Sequence, residues 1–262
     1  MKNRFTIQGI LFLAVLTLAS LACQGGVPSL FATATPTYTI TPSPVPTSTP
    51  QPTAAAGTTD TTNISLETQL DGSVLFTDIQ AGYSILIPST WAGIPANADD
   101  ISPYVEQAAE NNPQFSEALN MLQNMDPNIL RIIALDTTTE HYENGYAPNF
   151  SVLTMEDPIS ARMTLENIVK LTGSSITSQY QDAKLLNSGI ETIDDTFSYG
   201  YNEFSLSINA ADGVPIQIFQ KQVYFSIEEY IVIITLSAPR NNYEPPLLEF
   251  DAMMSSTQII DQ

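Results

Sequence analysis

The chain has 262 residues, 8 basic against 28 acidic, a formal net charge of −20, one cysteine and one histidine. That sign is wrong for phosphate contacts and excludes nucleic acid as a partner. With Cys23 inside the export segment and His141 the lone imidazole, a cysteine–histidine nucleophile pair, an internal disulfide and a zinc site of several His or Cys ligands are excluded too.

Residues 1–22 read as a signal peptide. Lys2 and Arg4 open it, and Phe5 to Leu21 is almost wholly apolar. Positive charge holds the start on the cytoplasmic side while the apolar stretch inserts. The segment Leu18-Ala19-Ser20-Leu21-Ala22-Cys23 resembles a bacterial lipobox, with Ser20 where leucine is preferred. The thiol of Cys23 is therefore expected to carry diacylglycerol, and the mature chain further acyl groups such as palmitate. More than one acyl chain gives stable anchoring, where a single one is marginal. Removing Lys2 and Arg4 leaves 6 basic against 28 acidic residues. The expected location is the outer face of the bacterial cytoplasmic membrane or the cell surface. The membrane, reached through the lipid at Cys23, is the first expected partner.

Residues 23–65 are read as a Thr/Pro-rich tether, with prolines at 36, 42, 44, 46, 50 and 52. No apolar periodicity gives this stretch a face to bury. Its prolines favour an extended polyproline form of ~3.1 Å per residue, so about 40 residues reach on the order of 100 Å when straight. No acidic residue precedes Asp60, so the negative charge is carried by residues 60–262.

Residues 66–262 have the size of one domain. Ser73–Thr77 and Tyr83–Pro88 read as a hairpin around the turn 78–82, with Trp91 just past its end. Residues 94–128 read as a helical insertion, with starts at Ser102-Pro103 and Asn112-Pro113. Ile129–Leu135 and Phe150–Met155 are strands flanking a polar, aromatic loop. A helix carrying Leu165, Ile168, Val169 and Thr172 on one face is expected to end at Gly173. Four strands come next, 183–193, 197–208, 215–227 and 230–236, with turns at 211–213 and 228–229. Tyr230 to Leu236 is apolar on both faces, as a covered central strand requires. A last helix carries Leu247, Phe250 and Met254. The class is α+β, an antiparallel sheet with helices packed on it.

Gly82-Tyr-Ser-Ile-Leu-Ile-Pro-Ser-Thr-Trp91 resembles the opening of PsbP-like domains, a group that includes DcrB-type bacterial lipoproteins. A long hairpin, then a helix ending at Met254-Ser-Ser-Thr257 before a short strand, is similar to their close. The resemblance covers about residues 72–260. Thr90 stands where the family often has glycine. The resemblance implies a central antiparallel sheet with helices on both faces, an α/β/α sandwich, and binding or assembly roles without catalysis. It carries over no ligand residue.

The tentative binding-loop residues are Trp91, His141, Tyr142 and Tyr146. Trp91, an amphipathic ring near a strand end, reads first as a cover for the end of the sheet at the core boundary, with ligand stacking the lesser alternative. Glu140-His141-Tyr142-Glu143 sets an imidazole beside two carboxylates, a pattern for a metal ligand or a general base. Tyr142 and Tyr146 are loop aromatics of a kind that interfaces use. The acidic doublets Asp99-Asp100, Asp194-Asp195 and Glu228-Glu229 lack the loop spacing of a calcium site. No phosphate loop, nucleophile elbow or Walker-type lysine occurs, so no cofactor, catalytic residue or metal site is assigned. The expected function is a lipid-anchored envelope module that binds a protein or small molecule. A calcium-dependent wall-binding domain and a hydrolase using His141 are the alternatives.

Overall fold

Alternating apolar and polar residues put most of this chain into antiparallel strands. A computed structural model describes residues 63–95, 128–193, 197–209 and 215–260. The leader, Cys23, the tether up to residue 62, the expected helices between 102 and 122, the doublets Asp99-Asp100 and Asp194-Asp195, and the 211–213 turn lie outside these residues.

Four strands form the smaller sheet: β1 (Ile64–Thr68), β2 (Val74–Asp78), β3 (Tyr83–Ile87) and β11 (Gln258–Ile259), in the order β1-β2-β3-β11. Seven form the larger: β4 (Trp91–Pro95), β5 (Leu130–Asp136), β6 (Asn149–Glu156), β7 (Lys184–Ile193), β8 (Phe197–Asn209), β9 (Pro215–Ile227) and β10 (Tyr230–Pro239). Their order is β4-β5-β6-β10-β9-β8-β7, with β7 at one edge. The α-helices among the described residues are α1 (Leu165–Gln179) and α2 (Glu244–Ser255). Neither is long and apolar enough to cross a membrane. The α+β, antiparallel expectation holds, but the strands divide between two sheets rather than forming one.

β10 is the hub. Every residue after Tyr230 is buried, and it pairs with β6 on one side and β9 on the other. Its Val232, Ile234 and Leu236 join Phe76, Tyr83 and Phe250 in the largest apolar cluster, between the two sheets and α2. Ile231 and Ile233 point the other way and pack with Ile168 and Val169 of α1. A strand covered on both faces has no use for polar alternation, which explains its unbroken apolar run.

Several boundaries differ from the sequence reading. β1 begins at Ile64, inside the expected tether, because Ile64 pairs with Asp78 and is 9 % exposed. Trp91 opens β4 and pairs with Asp136, so the strand runs into the start of the expected insertion. The α1 helix continues past Gly173 to Gln179 because Ile176 extends its buried face. In α2, Pro245 and Pro246 occupy the first turn, where a missing amide proton costs nothing.

The sheets are tied by a buried ion pair. Arg131 Nε on β5 lies 3.1 Å from Asp78 Oδ2 on β2, at 3 % and 0 % side-chain exposure. Arg131 also donates to Gln80 Oε1 (2.9 Å), and Asp78 accepts the Ala81 amide (3.0 Å). Beside them, the Tyr83 hydroxyl meets Thr154 Oγ1 at 3.0 Å. The smaller contact that seats α1 is steric: a Cβ on Gly200 would collide with Val169 Cγ2.

Two stability changes are predicted from equilibrium denaturation. Asp78→Ala leaves a buried guanidinium uncompensated and costs about 3–5 kcal/mol. Gly200→Ala overpacks a stiff β-branched neighbour and costs about 1–3 kcal/mol.

Candidate functional site

The residues singled out in the sequence do not share one surface. Trp91 is 3 % exposed. Its Nε1 donates to Glu249 Oε2 on α2 at 2.5 Å, and its ring lies 5.3 Å from that of Phe150. It is a core residue whose indole N–H is engaged. Tyr146 is 5 % exposed and packs with Ile176 and Phe204. Its hydroxyl accepts from Asn149 Nδ2 at 3.2 Å.

His141 and Tyr142 gather around Asp136 at the end of β5. Asp136 is fully buried; its Oδ2 lies 2.5 Å from His141 Nδ1, and its Oδ1 accepts the Thr138 amide at 2.8 Å. Tyr142 donates to the Asp136 carbonyl at 2.7 Å. Asn241 and Asn242 clip the same loop, donating to Glu143 Oε1 and the Glu140 carbonyl at 2.9 and 2.7 Å. The carboxylate fixes the orientation of the imidazole, the role an orienting group plays for a general base. Among the described residues no side-chain hydroxyl hydrogen-bonds the other ring nitrogen, and no three of His, Cys, Asp and Glu group to hold a metal ion.

A different place has the form of a binding site. Between α1 and the edge strand β7 lies a cleft of about 460 Å³. The helix supplies Glu166, Val169, Lys170, Gly173 and Ser174, residues spaced to lie on one face of it. The opposite wall is Leu185, Ser188 and Ile190 of β7, and Asn202 of β8 forms the floor. In the register Ser188 lies opposite Asn202 and Ile190 opposite Gly200, so these side chains share the α1 side of the sheet. A register shift between Leu185 and Asn187 interrupts the pairing at this wall. Leu185 and Ile190 stay 45 % and 40 % exposed. Gly173 approaches the floor closely: a Cβ there would stand 3.2 Å from Asn202 Oδ1.

Asn202 is fully buried, and its two ends differ. Its Nδ2 donates to the Val169 carbonyl (3.0 Å), Thr172 Oγ1 (2.9 Å) and the Tyr224 hydroxyl (3.4 Å). The Tyr224 hydroxyl donates to Gln222 Oε1 (2.5 Å), Gln222 Nε2 to Gln220 Oε1 (3.4 Å), and Gln220 Nε2 to Ser237 Oγ (3.3 Å). All four of these groups are buried. The remaining end is Asn202 Oδ1, an acceptor without a hydrogen-bond partner, shielded from solvent with Gly173 close to it. Burying such an atom unpaired costs about 1–3 kcal/mol. The signal for it is present in the sequence: Gly200, Asn202, Phe204, Leu206 and Ile208 alternate toward one face, and a polar residue interrupts the apolar row.

No protein-family model matches the sequence, and no curated protein matches it. Among solved structures, cyanobacterial PsbP from Synechocystis is 15 % identical, over 80 % of this chain and 99 % of that one, with a TM-score of 0.42. The chain is similar in structure to PsbP. LpqN from Mycobacterium tuberculosis, described as involved in cell envelope biogenesis, is 11 % identical over 68 % and 83 % of the two chains, at 0.41. The Saccharomyces cerevisiae Ran-binding protein Mog1p is 9 % identical over 77 % and 97 %, at 0.41. Likeness of this degree assigns neither ligand nor chemistry.

Burial pushes the Tyr224 phenol up to about 12, and burial likewise holds Tyr83 well above the usual phenol range. The fold therefore favours the neutral phenols. Their stabilisation is complete below the unfolded value of about 10 and is lost as pH rises through the folded value. Denaturation midpoints are predicted to fall steeply from about pH 10 upward. Tyr224→Phe is predicted to make that fall shallower by on the order of 2–3 kcal/mol across the range to about pH 12.

Proposed function

We propose that this chain is an extracytoplasmic binding module, held to the membrane by lipid at Cys23 and acting without catalysis of its own, whose ligand enters the cleft between α1 and β7. The observation that carries the reading is the cleft of about 460 Å³ itself, with Leu185 and Ile190 left 45 % and 40 % exposed on one wall. A concave site with apolar walls and a few convergent polar atoms is the usual form of a small-molecule site. The leader and the Thr/Pro-rich tether support placement outside the cytoplasm, with the domain clear of the lipid surface. A PsbP-like sandwich, with helices on both faces of the larger sheet, fits the contacts of α1 with β8 and of α2 with β3 and β10.

A second reading, a hydrolase using His141, draws on the 2.5 Å contact between Asp136 and His141. One set of variants separates the two. Full-length protein purified in mild detergent is expected to retain a small molecule detectable by native mass spectrometry. Ser174→Trp, a cleft-filling change at an exposed helix position, is expected to lose it; His141→Ala is expected to keep it. The reading fails when Ser174→Trp retains the molecule, or when His141→Ala abolishes a turnover that Ser174→Trp leaves intact. For the anchor, Cys23→Ala is expected to move the protein from the membrane fraction to the soluble one and to end labelling by an alkyne fatty acid.

A further inference from the structure

The loop that carries His141 turns on a single dipeptide. Asn144 and Gly145 stand at φ 49° and 76°. Glu143 and Tyr146 close around them with two backbone bonds, Glu143 N to the Tyr146 carbonyl (3.1 Å) and Tyr146 N to the Glu143 carbonyl (2.8 Å). A two-residue turn with positive φ at both positions is one for which Asn-Gly is the preferred pair. It is the sole Asn-Gly step in the sequence.

The same step carries chemistry that the fold does not use. The carboxamide carbon of an asparagine and the backbone nitrogen that follows it belong to one short stretch of chain, so their reaction is intramolecular and gains the rate advantage of enforced proximity. A side chain on the following residue crowds that nitrogen; glycine has none, and its backbone turns freely. Other asparagines have their amides held: Asn241 Nδ2 donates to Glu143 Oε1 (2.9 Å), Asn242 Nδ2 to the Glu140 carbonyl (2.7 Å) and Asn187 Nδ2 to the Tyr201 hydroxyl (3.3 Å). Asn144 is exposed, and among the described residues nothing hydrogen-bonds its carboxamide or the Gly145 amide. We infer that Asn144 is a site of spontaneous deamidation. The Gly145 nitrogen gives its proton to hydroxide and attacks Asn144 Cγ. The bond from Cγ to Nδ2 breaks, the departing nitrogen takes a proton from water and leaves as ammonia, and a five-membered succinimide remains. Water then adds across one of the two ring amide bonds, giving aspartate or isoaspartate at 144. In isoaspartate the main chain runs through Cβ, one atom longer, and the two bonds between Glu143 and Tyr146 no longer close together. Either product adds a carboxylate to a loop that already bears Glu140 and Glu143. The turn joins Glu143, clipped by Asn241, to Tyr146, packed with Ile176 and Phe204. Its loss frees the His141 loop from that clip, in one direction only, while the sheets stay as they are.

Ageing the protein tests this. Full-length protein in mild detergent is held at mildly alkaline pH and sampled by intact mass spectrometry and peptide mapping. The expected result is the mass gain of replacing NH2 by OH, confined to the peptide that spans Asn144, at a rate that rises in proportion to hydroxide. Asn144→Gly, which accepts the positive φ without cost, is expected to lose the gain and keep its melting temperature. Hydrogen exchange of the amides of residues 139–147 is expected to quicken in the aged protein and to stay constant in Asn144→Gly, with β10 unchanged in both. A gain that persists in Asn144→Gly, or that maps to other asparagines while Asn144 stays intact, overturns the site. Conversion at Asn144 with unchanged exchange across 139–147 overturns the release of the loop.

Discussion

The pairing of Asp78 with Arg131 is the constraint on which the arrangement of the two sheets rests. Each charge, alone in an interior with almost no water access, would cost several kcal/mol. Together they are tolerable only at one relative placement of β2 and β5. The aromatic and aliphatic cluster between the sheets supplies most of the cohesion, but apolar contact is non-directional and would accept a sliding of one sheet over the other. The 3.1 Å contact, with Tyr83 against Thr154 beside it, does not. From that fixed frame β10 is buried on both faces, and its outer face presents the ground on which α1 sits.

On that outer face the interior is not uniformly apolar. By register, Asn202, Gln222, Thr235 and Ser151 lie side by side across β8, β9, β10 and β6, and all four are buried. They divide the cluster around Ile168 and Tyr224 from the cluster around Ile176 and Phe204. A polar row of this kind adds less cohesion than leucines would. It persists at low cost only when each group finds a partner, and within this row Asn202 Oδ1 is left without one.

Much of the sheet is legible in the sequence because its cause is local. Tyr230–Leu236 shows its burial in composition, and the turn between Asp78 and Tyr83 shows the hairpin. Gly173 reads as a helix end, wrongly, because the usual reason for glycine, release of the backbone, competes with another, close approach to Asn202 twenty-nine positions away in the chain. Trp91 reads as a cover for the end of the sheet at the core boundary, but its partner Glu249 is distant in sequence and no local pattern announces it. His141 stands out for its chemistry, and the structure does give it a carboxylate, yet Asp136 comes from the strand before the loop, a pairing no spacing rule announces. The cleft is invisible in the sequence for the same reason: it is made of a helix and an edge strand that meet only in the folded state.

The placement of β7 has one more consequence. Its side chains are exposed on both faces at most positions, and among the described residues no strand pairs with its outer side. Such a border is a template for self-association between copies. The irregularity between Leu185 and Asn187, with Lys184 and Glu191 as charges along the strand, spoils the long flat register that stacking of molecules requires. The same irregularity lies in the wall that faces α1, so a feature that disfavours edge pairing also shapes one side of the cleft.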